Sequence, residues 1–137
     1  MTDSVLLDKT YNFAVRIVKM YLFLIREKKE FVMSKQVLRS GTSIGANSVE
    51  AAATQSQRDF FHKCSIAYKE AKETEYWIKL LRDTGFISHK QAESMLFDLT
   101  EIIKILASSM ITIRKQRKTK SNEKHGKQRN TSQNRQK

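Results

Sequence analysis

The sequence predicts an all-α protein, a bundle of four helices followed by a basic C-terminal tail. Three observations predict it. The 137 residues contain no proline and only four glycines. Apolar residues recur at alternating steps of three and four over most of the chain. Capping residues stand where each period begins or ends. The length favours one domain with a core large enough to need no disulfide or metal staple. The expected division is a bundle over residues 1–113 and a tail over 114–137.

The first helix is expected from about Ser4 to Lys29. Leu6, Phe13, Ile17, Met20 and Leu24 form its apolar stripe, widened by Leu7, Ala14, Val18, Tyr21 and Ile25. Lys9, Arg16, Lys19 and Arg26 fall within an arc of about 100° on another side. That arc reads either as a solvated face or as a surface that follows phosphates. Asp8, Lys9, Arg16 and Lys19 interrupt the apolar run, so it is neither a signal peptide nor a membrane span.

The second helix, capped by Ser34 and running to about Thr54, is built from small residues. Its segment LRSGTSIGANSVEAAA carries Gly41 and Gly45, each costing about 1 kcal/mol relative to alanine in a helix. Close approach of a neighbouring backbone is the usual reason to accept that cost. A glycine-bearing loop is the competing reading, disfavoured because the apolar period never breaks.

Ser56 and Asp59 resemble a capping box that opens the third helix. Phe60, Cys64, Ala67, Ala71, Thr74, Ile78 and Leu81 repeat 4-3-4-3-4-3 as its seam. Gly85 ends it. Ser88 and Gln91 open the fourth helix, with Ala92, Met95, Leu99, Ile102, Leu106, Met110 and Ile113 as core positions. This helix is apolar beyond one stripe, and the first helix adds Tyr21, Leu22 and Phe23 in succession. A lone bundle would expose much of that surface, so a cyclic homo-oligomer is expected.

The formal net charge of +12 is unevenly placed. Residues 1–113 hold sixteen Lys/Arg against thirteen Asp/Glu, and residues 114–137 hold ten against one, Glu123. With no aromatic or aliphatic residue, the tail is expected to be disordered unless bound, its first turn from Arg114 to Lys118 continuing the fourth helix. Arg114, Lys115, Arg117, Lys118 and Lys120 join Lys9, Arg16, Lys19 and Arg26 as candidate nucleic-acid contacts.

Catalytic chemistry finds little footing. One Asp-x-x-His, Asp59 to His62, falls short of a carboxylate-bridged metal pair. Cys64 lies on the apolar seam, where a thiol packs rather than reacts. The lone cysteine favours a reduced, cytoplasmic setting. No enzyme activity, metal or cofactor is expected. Arg39, Asn47, Glu50, Glu70 and Glu73 form a candidate polar network, with Arg39 pairing to an acid of the third helix or serving a contact surface.

Two runs carry a resemblance: Arg-Ser-x-x-Ser-Ile-x-x-Asn-x-x-Glu from Arg39 to Glu50, and Ile-Ala…Glu-Ala…Glu-Thr…Trp from Ile66 to Trp77. Over about residues 5–113 the chain resembles the small bacterial four-helix bundle proteins of ribosomal RNA intervening sequences. The resemblance implies an up-down-up-down protomer and a ring-shaped homopentamer with a basic surface. A related branch serves diversity-generating retroelements as the accessory variability determinant, which binds nucleic acid and a reverse transcriptase. The expected function is therefore a non-enzymatic scaffold that binds nucleic acid, RNA above all. The alternative is an adaptor for a reverse transcriptase. No catalytic residue comes with the resemblance.

Overall fold

The computed structural model describes residues 4–134 and places four α-helices there. They are α1 (Ser4–Arg26), α2 (Met33–Ala53), α3 (Gln57–Asp83) and α4 (His89–Asn134). Among the described residues each packs against its neighbours in sequence, and α1 closes the circle against α4, with no close backbone approach across either diagonal. The short connections make successive helices antiparallel. Lys9, early in α1, reaches Glu101 of α4, whereas Arg16 reaches back to Ser94 and Asp98.

The core follows the apolar periods. Leu6, Phe13, Ile17, Met20 and Leu24 of α1 are buried, with Thr10 among them. All seven seam positions of α3, from Phe60 to Leu81, are buried. Ala92, Met95, Leu99, Ile102, Leu106 and Ile113 of α4 are buried, while Met110 is only partly so. Cys64 is fully buried, and that burial pushes its thiol pKa up to about 11. At neutral pH it is a packed, protonated group.

The small residues of α2 do bring α1 close. A methyl group at Gly41 would stand 2.7, 2.8 and 2.9 Å from Cγ1, Cδ1 and Cγ2 of Ile17. At Gly45 it would lie 3.4 Å from the Thr10 carbonyl oxygen. Val37, Gly41, Ile44, Ser48 and Ala51 are buried as one face, with Ser34, Ser40 and Gly45 beside them. On the α3 side, the Thr74 hydroxyl donates to the Ser40 oxygen at 2.9 Å, satisfying a buried polar pair.

Two caps fall where the sequence places them. The Ser56 hydroxyl accepts the Asp59 N–H at 3.0 Å, and the Ser88 hydroxyl accepts the Gln91 N–H at 3.1 Å. Gly85 takes the left-handed φ of 82° that ends α3. The start of α2 differs. Ser34 is inside the helix, and the cap is Glu30, whose carboxylate accepts the N–H groups of Val32, Met33 and Ser34 at 3.0, 3.0 and 2.6 Å. Ending α1 at Arg26 rather than near Lys29 frees Glu30 to turn back, with Lys29 at a φ of 51°.

Partial burial pushes the Glu30 carboxyl upward, but the N–H groups of Ser34, Met33 and Val32 outweigh it and hold the group below the usual carboxylate range. Its folded pKa lies under its unfolded value of about 4.3. The stabilisation is therefore full above that pH and is lost as pH falls through the folded pKa. Glu30→Ala is expected to cost about 1 kcal/mol at pH 7. In denaturant titrations the gap to wild type should narrow towards pH 3; an equal gap at both pH values would contradict the cap.

The C-terminal segment also differs from the sequence expectation. Past the expected turn from Arg114 to Lys118, α4 stays helical through the basic residues to Asn134. The physical reason is cooperativity. The bundle has already nucleated the helix, and a proline-free run of Lys, Arg, Gln and Ser needs only to propagate it. Residues 114–129 are exposed throughout.

Candidate nucleic-acid interface

The nine candidate cations fall into three settings. Lys9 and Arg16 lie on the α1–α4 seam. The Lys9 ammonium donates to Glu101 Oε2 at 2.6 Å, and Arg16 donates to Asp98 Oδ2 at 2.6 Å and Ser94 Oγ at 2.9 Å. The hydrogen bond to Glu101 is the leading reason the Lys9 pKa is raised. A phosphate approaching these two cations meets the acids that already neutralise them. Lys19 and Arg26 are exposed and carry no ion pair among the described residues. The helix-one stripe is therefore half committed to holding α1 against α4.

The remaining five lie on the extension of α4. Arg114 lies over the Phe61 ring, 5.3 Å from its centroid, and so anchors the base of the extension to α3. Gln57 at the start of α3 donates to the Gln116 side chain at 2.8 Å. On either side of that point Lys115, Arg117, Lys118 and Lys120 are exposed. Arg117 and Lys120 join Lys124, Lys127, Ser121, Glu123 and Gln57 around a concavity of ≈ 640 Å³ where the helix leaves the bundle end. Sequence reasoning left out Lys124 and Lys127. The signal was present: 113-117-120-124-127 continues the three-and-four spacing of the α4 core.

The polar network divides. Arg39 bridges α2 to α3 with both acids, donating to Glu70 Oε2 at 3.2 Å and to Glu73. Trp77 Nε1 donates to the same Glu73 carboxylate at 3.1 Å. The hydrogen bond from Arg39 is the main reason the Glu73 carboxyl sits below its ordinary range. Asn47 and Glu50 take no part. The Asn47 side chain donates to the Ser43 carbonyl within α2, and Glu50 accepts from Lys63 at 2.6 Å. Half-exposed pairs of this kind add little to stability.

Several large apolar side chains are exposed, and on α1 three of them form a row. Tyr11, Val15 and Val18 stand at steps of four and three on α1 and are 69%, 37% and 40% exposed. They lie opposite the core face at 100° per residue. Val18, expected to widen the core stripe, belongs to this outer row instead. No helix among the described residues is long and apolar enough to cross a membrane.

Fold and charge together define a small antiparallel helical-bundle protein with a projecting basic helix. The chain belongs to the family of 23S rRNA-intervening sequence proteins, whose model matches residues 2–108. It is similar to a crystal structure of a protein of unknown function from the S23 ribosomal protein family of Bacteroides thetaiotaomicron. The two share 58% sequence identity with a TM-score of 0.78, over 80% of this chain and 98% of that one. No curated protein matches the chain. The family match ends before Arg114, so the basic extension lies outside it.

Proposed function

We propose that the protein is a non-enzymatic, oligomeric scaffold that binds nucleic acid, with RNA as the first candidate. The observation that carries this reading is the concentration of ten Lys/Arg against one acid in residues 114–137. A bundle of nearly balanced charge bears a polycation at one end, which is the electrostatic footprint of a phosphate-backbone binder. The ribosomal RNA setting of the family is consistent with it. Binding is expected to show little base specificity, because backbone contacts position a ligand without reading its sequence. The test is direct titration of the full chain with RNA and DNA of mixed sequence at low salt. Micromolar or tighter binding is expected, and no binding to either would overturn the reading.

The outer row of Tyr11, Val15 and Val18 supports self-assembly through α1, and the resemblance suggests five subunits. Native mass measurement at micromolar concentration should return a cyclic oligomer, and Val15→Glu with Val18→Glu should release smaller species. A monomeric wild type would contradict assembly, and a dimer would contradict a ring. An exposed apolar row also suits a protein partner, which keeps the reverse-transcriptase adaptor as the second reading. A reverse-transcriptase gene beside this one would favour it.

A further inference from the structure

The cations of the extension are not equivalent once the segment is a helix. Projected at 100° per residue, Arg117, Lys120, Lys124 and Lys127 share the arc that Leu99, Ile102, Leu106 and Ile113 occupy inside the bundle. The face that α4 turns toward the core thus changes from aliphatic to cationic where the bundle stops. These four side chains overhang the bundle end, where Gln57 closes the concavity they line. Lys115, Lys118 and Arg129 point to the opposite side and are exposed. The row from Arg117 to Lys127 is about 15 Å long at the helical rise of about 1.5 Å per residue.

We propose that this inward-facing row is a phosphate-backbone site for double-stranded nucleic acid, seated between the overhanging helix and the end of the bundle. The proposal rests on the nucleic-acid reading above and narrows it to one face and one ligand form. Two features favour a duplex. The row is straight and held by a helix, so it matches a stiff ligand whose phosphates are already ordered. Residues 114–129 contain no Phe, Tyr or Trp, the side chains that make the strongest stacking platforms for single-stranded bases. Glu123, which also lines the concavity, opposes the ligand, and Glu123→Gln should tighten binding.

A charge-matched comparison tests the proposal on the full chain. One variant carries Arg117→Gln, Lys120→Gln and Lys124→Gln; the other carries Lys115→Gln, Lys118→Gln and Arg129→Gln. Each removes three cations. A third, Asn122→Pro, removes none but breaks the helix between Lys120 and Lys124, and Asn122→Ala controls for the side chain. The ligand is a mixed-sequence 24-base-pair duplex, as RNA and as DNA, with the single strand as comparison. The inward triple is expected to weaken duplex binding about 10- to 100-fold and to flatten the log–log salt slope by about two to three contacts, the outward triple by less than about threefold. Asn122→Pro should behave like the inward triple and Asn122→Ala like wild type. Equal losses from both triples, with Asn122→Pro silent, would overturn the inward row and leave a disordered polycation that still binds nucleic acid. Preference for the single strand would overturn the duplex assignment. No loss from either triple would remove the extension from nucleic-acid binding altogether. Inward cations that bind an acidic protein and neither form of nucleic acid would overturn both readings.

Discussion

Gly41→Leu is expected to destabilise the bundle by about 1–3 kcal/mol or more, the cost of overpacking a filled core. The site has no slack. Even a methyl group would meet three carbons of Ile17 at under 3.0 Å, and Ile17 is itself fully buried. Either α1 moves away from α2 or Ile17 leaves its rotamer. Adding Ile17→Ala should recover part of the loss, because it removes the three atoms in the way; a double-mutant cycle reads the coupling. Gly45→Ala is the control. Its methyl would sit at ordinary contact distance from Thr10, and it gains helix propensity of about 1 kcal/mol, so its melting temperature should equal or exceed wild type. A Gly41→Leu protein that melts at the wild-type temperature would contradict the close packing of α1 on α2.

This pair shows what was legible in the sequence. A helix interior with two glycines announces close approach, and periodicity says which face approaches. The α3 seam from Phe60 to Leu81 was readable for the same reason: position alone decides burial when the period is unbroken. Ser56, Ser88 and Gly85 were readable because capping is local. What was not readable depends on contacts distant in sequence or on backbone turns. Glu30 caps α2 only because Lys29 adopts a positive φ, so the nearer Ser34 looked like the cap. The stripe of Lys9, Arg16, Lys19 and Arg26 looked uniform on a helical projection. Glu101 and Asp98, some eighty to ninety residues away, divide it into two paired cations and two with no ion pair among the described residues. Arg39 stood near enough in pattern to Glu70 and Glu73 for the pairing to be foreseen. Asn47 and Glu50 shared the polar character but not the geometry.

Deleting residues 114–137 is expected to lower affinity for nucleic acid by two orders of magnitude or more at moderate salt. Each neutralised phosphate contributes about −0.9 to the log–log salt slope on a duplex and about −0.7 on a single strand. Ten cations per subunit, multiplied in the proposed assembly, would give many contacts that act together through high effective concentration. The bundle left behind carries nearly balanced charge. Lys19 and Arg26 should supply most of what binding remains, since Lys9 and Arg16 are held by acids of α4. Fold and assembly should survive the deletion, because the core ends at Ile113 and the apolar row lies on α1.

The decisive measurement is a salt titration of binding for the full chain, for the chain ending at Ile113, and for that shorter chain with Lys19→Gln and Arg26→Gln. A basic scaffold predicts a steep slope for the full chain, a shallow one with much weaker binding after truncation, and little binding in the third. Unchanged affinity and unchanged slope after truncation would contradict it.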